Sequence, residues 1–469
     1  MRGAEYRLVT RGGAGEHRSL GDRMTDPAMA NPCETSTPNR FNPPQVRLPK
    51  LVQGVGFAFF RRQSMRHWIN RHGHIFEINV PFFGRSVIVS DPALVRSVCT
   101  AGAGQLVNVQ PNLGNWFGSG STFGLDGSRH RDRRQLLAPA FHGQRLKSYE
   151  KVIEAETLRE SANWPENEEF RILEPMNRIT LNVILRTIFG ADGTELEKLR
   201  EIVPPYMKLG QLLAFVPAPP VWIRRHSPWG KLDELRQAFD RVVCTLIDRA
   251  DADPGLAERE DILAFLARSR YEDETGMPRL DIFDELLTLV CAGHETTASA
   301  LAWTFERLRR HPDVLAELVR EVDEGGNEFR RATISESLRV RTVIDVFGRR
   351  VSSPNYALGE WRIPDDRTVL VRIADVHENP EIFPCPERFD PHRFRGTRPA
   401  APAWLAFGGG ARRCIGADFA ITEMDVVLRT VLRNFRVQTD PAAPDEKSYF
   451  RGVAHIPKLG GRLIVNRRS

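Results

Sequence analysis

Apolar residues recur at every third or fourth position over most of the chain, a spacing typical of amphipathic α-helices. The pattern is clearest in four segments, at residues 144–162, 173–189, 232–250 and 281–310. The fourth segment predicts one helix of about 30 residues, which would be roughly 45 Å long. Further helices are predicted near residues 332–341 and directly after Cys414, where apolar residues share one helical face as far as Phe435.

Strand patterns are shorter and lie between these helices. Residues 75–91, IFEINVPFFGRSVIVSD, form two apolar runs on either side of a Phe-Gly turn, which predicts two strands. Short strands are also predicted at 349–372, followed by an irregular proline-rich stretch at 379–394. No segment recurs at a fixed spacing, so we do not expect a repeat protein. The pattern predicts a mainly α fold with a small β region on one side.

Residues 1–40 differ from the rest of the chain. They are rich in Gly, Arg, Ser, Thr and Pro and show no apolar period, so we expect a disordered N-terminal extension. Met24 is a second candidate for the start of translation, because nothing before it is predicted to be structured. From residue 41 to residue 469 the patterned segments follow one another closely, which predicts a single domain.

The 469-residue chain has a formal net charge of +6, and its basic residues are scattered. They form no run interleaved with aromatic residues, so we expect no nucleic-acid partner. No stretch approaches the roughly 18 apolar residues needed to cross a bilayer, and the strongest candidate, at residues 51–60, is too short. The six cysteines are far apart and include no CxxC pair. We therefore expect a soluble cytoplasmic protein with reduced thiols and no transmembrane anchor.

One cysteine stands in an unusual setting, the segment FGGGARRCIGA at residues 407–417. Cys414 lies just before a predicted helix, whose N-terminal dipole and free N–H groups favour an anion. Glycines 408–410 and 416 would let the backbone approach a flat or bulky group. A thiolate in this position would be a metal ligand or a nucleophile. For a lone cysteine, a buried thiol in a glycine-rich turn is the commoner alternative.

The segment also matches a family signature. Phe407, Gly410, Arg412, Cys414 and Gly416 meet the pattern FxxGxRxCxG, which resembles the haem-ligand motif of the cytochrome P-450 family. The resemblance implies haem b with the Cys414 thiolate as proximal ligand, a ligand that pushes electron density onto the iron and favours O–O cleavage. It also implies that Phe407 and Gly410 belong to the cofactor site.

The segment AGHETT, residues 292–297, interrupts the helical pattern with poor helix formers. Glycine weakens a helix, and threonine hydroxyls can bond to the preceding turn and bend it. The segment resembles the oxygen-binding kink of the same family. By that resemblance the Thr296 hydroxyl contacts dioxygen, Glu295 and Thr296 relay protons, and Thr297 supports the kink. His294, at a variable position of the motif, is expected to be structural or to lie near substrate.

A third motif is ESLR, in which Glu336 and Arg339 are spaced i,i+3. Such pairs are common on any helix surface and mean little alone. Because PCPERFDPHRF follows about 50 residues later, the two segments together resemble the ExxR and PERF elements of the family. The resemblance implies that Arg388 joins Glu336 and Arg339 in a buried charge network with a structural role.

A fourth element, DGSRHRDRRQLLAPAFH, contains His130 and Arg134, which resemble the residues that contact the haem propionates. Buried carboxylates need cationic or hydrogen-bonding partners, and Arg412 is the third partner expected, with Arg349 as a weaker fourth. Part of a neighbouring group of arginines is expected on the cysteine side, where an acidic electron donor could dock. This group comprises Arg129, Arg131 and Arg133.

These elements occur in family order between residues 41 and 469 and imply the cytochrome P-450 fold. One departure follows ESLR, where the family often has prolines and this chain reads VRTVIDVFGRR. The implied reaction inserts one oxygen atom of O₂ into a hydrophobic organic substrate. Electrons would arrive from NAD(P)H through a separate ferredoxin and ferredoxin reductase, because the chain has no dinucleotide or flavin motif.

Substrate contacts are expected from residues 104–124, 203–222, 344–347 and 453–456. Their apolar content suggests a small hydrophobic ligand, although about half of the aromatic residues are expected to be core or lid packing. The aromatic residues concerned are Trp116, Phe117, Phe215 and Trp222. A peroxygenase, an isomerase or a non-catalytic haem sensor remains an alternative, against which the pair Glu295 and Thr296 argues.

Overall fold

The computed structural model describes residues 41–81, 83–109, 112–190, 193–213, 216–354, 356–397 and 399–468. The N-terminal extension expected at residues 1–40 and the expected substrate contact Phe215 lie outside the described residues.

The described residues are mainly helical, as the apolar period predicts. The first eight helices are α1 (Lys50–Phe59), α2 (Arg61–His72), α3 (Pro92–Thr100), α4 (Gly114–Phe117), α5 (Gly127–Leu137), α6 (Gln144–Ser161), α7 (Leu173–Phe189) and α8 (Thr194–Leu213). The others are α9 (Val221–Arg224), α10 (Pro228–Asp251), α11 (Ile262–Arg268), α12 (Arg279–Arg310), α13 (Pro312–Glu324), α14 (Glu328–Val340), α15 (Ile373–His377) and α16 (Ala417–Asn434).

The strands are short, and those at residues 75–89 and 346–372 follow the predicted positions, whereas the others were not predicted. They are β1 (Ile75–Val80), β2 (Gly84–Val89), β3 (Leu106–Val107), β4 (Phe170–Arg171), β5 (Val346–Val351), β6 (Tyr356–Leu358), β7 (Trp361–Ile363), β8 (Thr368–Arg372), β9 (Phe435–Val437), β10 (Ser448–Arg451), β11 (Ala454–Pro457), β12 (Arg462–Leu463) and β13 (Val465–Arg467). Five of them form one sheet in the order β1-β2-β8-β5-β3. Within this sheet β2 and β8 are parallel and the other neighbours are antiparallel.

The sheet has a hydrophobic core of its own. Val87, Val89, Val369 and Val371 are fully buried on it, because alternate residues of a strand point to the same face. The helices share a separate and larger core. The predicted mainly α fold with a small segregated β region is therefore confirmed.

Local sequence explains where several helices begin and end. The Asp91 carboxylate accepts hydrogen bonds from the N–H groups of Ala93 and Leu94 and caps α3. Ser227 caps α10 in the same way, and Pro228 occupies its first position. Gly190 ends α7 in the left-handed conformation, with φ at 58°. At these three positions the helix boundary therefore lies where the chain supplies its own cap.

Helix α12 lies at the centre of the helical body and packs against α7, α14, α16 and β11. It is continuous from Arg279 to Arg310, so residues 292–297 do not interrupt it. The Thr296 hydroxyl bonds to the Ala292 carbonyl at 2.7 Å, inside an unbroken helix. Tertiary packing along α12 therefore outweighs the weak helix propensity of this segment. None of the described helices is long and apolar enough to cross a membrane.

The buried charge network on α14 differs from the expectation in one residue. Arg339 donates to both oxygens of the fully buried Glu336, each at 2.7 Å. The third member is Arg393, whose Nε lies 3.1 Å from Glu336 Oε1. Arg388, the expected member, has an exposed side chain and offers its main-chain carbonyl to Arg339 at 3.1 Å. PERF and PHRF share the pattern P-x-R-F, so the sequence did not distinguish them.

A second correction concerns Arg133, which is buried and does not reach the surface. Its guanidinium donates to Glu285, Asp281 and the Tyr271 hydroxyl. Of the three arginines considered for the surface of α5, only Arg129 and Arg131 are exposed. Arg133 instead joins α5 to the first turns of α12.

We expect Arg393→Ala to lower the free energy of unfolding by about 1.5–3 kcal/mol, because Glu336 loses a charged hydrogen-bond donor in a buried site. The matched control is Arg388→Ala, which removes an exposed side chain and keeps the carbonyl. Urea unfolding and Tm measure both variants. Equal losses in the two variants would contradict the assignment of Arg393 to the network.

Candidate functional site

The cysteine loop, residues 407–414, is closed by its own backbone. The Cys414 N–H donates to the Phe407 carbonyl at 2.9 Å, and α16 begins three residues later at Ala417. Gly408 and Gly410 have φ values of 71° and 68°, a region that favours glycine. These two residues let the loop turn back on itself and present Cys414 at the start of α16.

The four glycines of this segment serve two purposes. A Cβ atom on Gly409 or Gly410 would overlap Cys99 at the end of α3, so these glycines allow the loop to pack against that helix. Around Gly408 and Gly416, nothing lies within 4 Å of an added Cβ. The expectation that all of them serve a flat ligand was therefore too broad, since half of them serve packing.

The Cys414 side chain is exposed, yet burial raises the pKa of its thiol above the ordinary value. The N–H of Gly416 and the charges of Arg413 and Arg134 lower the pKa, but by less. A side chain can be both exposed and surrounded by protein when it faces an internal cavity, because the protein then encloses the side chain without touching it. The start of α16 alone does not bring the pKa of Cys414 below its ordinary value. A cation opposite the sulfur would lower this pKa and favour the thiolate.

A basic cluster, defined here as His130, Arg134, Arg349 and Arg412, lies beside the cysteine loop. His130 is buried on α5, and burial with the charges of Arg412 and Arg134 lowers its pKa to about 4. Arg134 in turn lies close enough to Cys414 for the two groups to interact electrostatically. The residues that the sequence predicted to bind the propionates thus lie close to one another.

The charges of the basic cluster are largely uncompensated. Arg412 pairs with Asp126 at 3.2 Å, and within the described residues this is the one salt bridge that the three arginines make. Burial and the charge of Arg412 lower the pKa of Arg349 to about 10. Buried cations in mutual repulsion call for anionic partners. The cluster therefore fits a ligand with two carboxylates, as the expected haem has.

The middle of α12 has an open face. Ala292, Gly293 and Thr296 are half-exposed, whereas the residues at 297–306 are buried. Their spacing places Ala292 and Thr296 on one side of the helix. Since α12 is surrounded by other elements, this exposure indicates an internal cavity at mid-helix. Thr296 is thus on the side of α12 that a ligand can reach.

Thr297 points the other way, towards Glu423 on α16. Glu423 is fully buried, and burial raises its pKa well above the ordinary range, while the Thr297 hydroxyl lowers it by less. Thr297 and Glu423 thus lie where α12 packs against α16, the helix that begins beside Cys414. The sequence analysis did not identify Glu423. A glutamate beside Met424, within a run of apolar positions on one helical face, was a signal of a buried carboxyl group.

Another missed residue, His377, links the charge network to the cysteine loop. Its carbonyl accepts from Arg339 at 2.9 Å, and its Nε2 accepts from the Leu405 N–H at 2.9 Å. Burial, with the charge of Arg339, lowers the pKa of His377 to about 3. The ring is therefore neutral, and its Nδ1–H faces the Thr342 hydroxyl at 3.1 Å. The expected structural role of the network extends through this ring to the loop.

Glu295 and Thr296 are not hydrogen-bonded to each other. Consecutive helical residues project about 100° apart, and the Glu295 carboxylate is directed to Arg451 on β10 and Gln211 on α8. His294 is buried, and burial lowers its pKa to about 4, which agrees with the expected structural role. Sequence reasoning did not identify Arg451 and Gln211, although both lie in or beside segments expected to contact substrate.

The aromatic residues expected near substrate have different environments. Trp116 and Phe117 are buried and stacked, with ring centroids 4.4 Å apart. The Tyr206 hydroxyl donates to the Trp116 carbonyl at 2.8 Å, which joins them to α8. Trp222 is 77% exposed. The first two are therefore core residues, as expected for about half of this group.

Comparison with known proteins agrees with this geometry. The sequence model of the family described as Cytochrome P450 matches residues 43–464. The chain is 54% identical over 426 residues to "Putative cytochrome P450 138" of Mycobacterium tuberculosis, covering 91% of this chain and 96% of that protein. It is 35% identical over 432 residues to "Putative cytochrome P450 135B1" of the same species, covering 90% and 91%.

Solved structures show the same fold at lower identity. Retinoic acid-bound cyanobacterial CYP120A1 superposes with a TM-score of 0.79 at 23% identity, covering 92% of this chain and 100% of that one. The haem domain of cytochrome P450DA gives a TM-score of 0.76 at 21% identity, covering 92% and 98%. Motifs, fold and relatives agree, and this chain is a member of the cytochrome P450 family, whose cofactor is iron protoporphyrin IX, haem b.

Proposed function

We propose that this protein is a haem-thiolate monooxygenase that inserts one oxygen atom from dioxygen into a hydrophobic organic substrate. The observation that carries the proposal is the exposed Cys414 side chain, which lies just before α16 and beside the basic cluster. When bound, the haem iron supplies oxygen activation and transfer, while the protein supplies binding, orientation and protons. The second oxygen atom is released as water.

Cys414 is the proposed protein ligand to iron. A metal cation opposite the sulfur offsets the burial that raises the pKa of the free thiol. Phe407 and Gly410 shape the loop, through the Phe407 carbonyl that accepts the Cys414 N–H and the positive φ of Gly410. The basic cluster would hold the two propionates, whose charges match its uncompensated cations.

Thr296 and Glu295 are proposed to manage protons. The Thr296 hydroxyl can rotate from the Ala292 carbonyl to donate into the cavity. Glu295 would resupply that proton, but its oxygens are held by Arg451 and Gln211. Glu295 therefore has to leave these partners before it can serve Thr296.

Electrons would come from NAD(P)H through a separate ferredoxin and ferredoxin reductase, in the cytoplasm. Arg129 and Arg131 are exposed on α5, the helix that carries Arg134 beside Cys414. They offer positive charge to an acidic donor on this side of the protein. We further propose that residues 41–469 form one catalytic domain, preceded by the N-terminal extension.

A peroxygenase or isomerase is the second candidate function. It is favoured by one observation, that the Glu295 carboxylate is already bound by Arg451 and Gln211. Such an enzyme needs no electron donor, whereas a monooxygenase does. Turnover that depends on NAD(P)H and ferredoxin supports the first proposal, and turnover with peroxide alone supports the second.

We expect Cys414→Ala to abolish the red-shifted Soret band of the reduced CO complex, because the thiolate ligand is lost. The matched control is Cys385→Ala, which removes an exposed thiol far along the chain from the loop. A Cys414→Ala protein that keeps the thiolate band would overturn the ligand assignment.

We expect Thr296→Ala to bind haem normally but to release more hydrogen peroxide per NAD(P)H oxidised, because the proton donor at the open face of α12 is gone. Thr304→Ala is the control, since Thr304 makes the same bond to the carbonyl four residues earlier but is fully buried. Unchanged peroxide release in Thr296→Ala would contradict the proposed role.

We expect Arg349→Gln to release haem about 10–100 times faster to an excess of apomyoglobin, because one charged hydrogen bond to a propionate contributes about 1.5–3 kcal/mol. Arg350→Gln is the control, because Arg350 is the next residue on β5 and is exposed. Equal release rates for the two variants would remove Arg349 from the proposed propionate site.

A further inference from the structure

Three elements meet at the carboxylate of Glu295. Helix α12 supplies Glu295, α8 supplies Gln211, and the end of β10, just before the turn to β11, supplies Arg451. Gly452, at that turn, has a φ of 63°, and a Cβ there would overlap the Gln211 side chain. The turn is thus pressed against α8. Gln211 lies in a segment expected to contact substrate, and Arg451 lies two residues before another, so we take the meeting point as part of the proposed substrate site.

Arg451 is a half-buried cation with only part of its donor set used. One guanidinium nitrogen, Nη2, pairs with Glu295. The Nε atom is buried and has no hydrogen-bond partner among the described residues. A buried N–H group without a partner is unfavourable by about 1–3 kcal/mol. Glu295 therefore satisfies Arg451 incompletely.

The Nε of Arg451, which has no partner, is a donor that a ligand could use. A guanidinium presents Nε and Nη in a planar fork that matches the two oxygens of one carboxylate. Glu295 engages Arg451 through one oxygen, since its other oxygen accepts from Gln211. The Arg451 side chain is 39% exposed, so a ligand can approach it, and the guanidinium has to turn to bring the buried Nε to the ligand. A ligand carboxylate could use both nitrogens, which Glu295 does not.

We propose that the substrate carries a carboxylate, which Arg451 binds through Nε and Nη in place of Glu295. The inference rests on the proposed function and adds to it the substrate class, a hydrophobic carboxylic acid. Binding of the substrate then releases Glu295 from its cation, and the freed carboxyl is available to carry a proton towards Thr296. Arg451 thus selects the substrate and couples its arrival to the proton path.

The test measures binding to the haem-loaded protein by isothermal titration calorimetry. The probes are saturated fatty acids from decanoic to octadecanoic acid, each with the primary alcohol of the same chain length. We expect the best acid to bind at least about tenfold more tightly than its alcohol, the effect of one charged hydrogen-bond pair. Acids that bind no more tightly than their alcohols would overturn the proposal.

Two variants at the site have opposite expected effects. Arg451→Gln should abolish the preference for acid over alcohol and leave alcohol binding within about a factor of two. Glu295→Gln should strengthen acid binding, because it removes the carboxylate that competes for Arg451. Equal loss of acid and alcohol binding in Arg451→Gln would mean that Arg451 only supports the structure.

A second substitution and a control keep the outcome interpretable if Arg451→Gln folds poorly. Arg451→Lys keeps the charge but not the planar fork, so an intermediate preference for the acid is expected. Arg178→Gln is the control, because Arg178 is a surface arginine paired with Glu160. A preference unchanged in Arg451→Lys and Glu295→Gln alike would contradict the proposal.

Failure of the proposed function is separable from failure of this inference. Calorimetry needs neither electron transfer nor turnover, whereas the reduced CO spectrum tests the thiolate ligand alone. A protein that prefers acids through Arg451 but lacks the thiolate band would keep the carboxylate site and lose the monooxygenase assignment. A protein that shows the thiolate band but does not prefer acids would keep the monooxygenase assignment and lose the carboxylate site.

Discussion

The packing of α12 against α16 is the constraint on which the candidate site depends. Cys414 lies just before α16, and α12 packs against that helix in one rotation, with Thr297 towards Glu423. Neighbouring residues on a helix project in different directions, so this one rotation sends Thr296 to the open face and Glu295 towards α8. A rotation of α12 by one residue would turn Thr296 away from the open face.

Two buried charge networks that hold the fold are paired, whereas the charges at the proposed ligand sites are only partly paired. Glu336 is satisfied by Arg339 and Arg393, and Arg133 by carboxylates at the start of α12. In the basic cluster Arg412 pairs with Asp126 alone, and the Nε of Arg451 has no hydrogen-bond partner within the described residues. Other buried atoms, such as the Glu423 carboxyl oxygens, also lack partners, so the proposed cofactor and substrate sites rest on the grouping of cations and on the contacts around Arg451, and not on an unpaired atom alone.

Helix positions could be predicted from the sequence wherever the apolar period was long. Helix α7 spans the predicted residues 173–189, and α12 extends the predicted segment by two residues. The same local reasoning predicted a kink at residues 292–297, and α12 is continuous through this segment. Weak propensity over six residues did not end a helix that packs against other helices and against β11. Local signals thus predicted element type well.

By itself, the sequence determined the family, the fold and the residue types that the cofactor needs, because these depend on motifs and periods that are local in the chain. Only the tertiary structure decided which of two P-x-R-F arginines reaches Glu336, that Arg133 is buried, and that Arg451 holds Glu295. These are contacts between residues 57, 152 and 156 positions apart. The physical reason is that burial and charge pairing are properties of the packed molecule, set by which elements meet, and no period or motif within one segment records them.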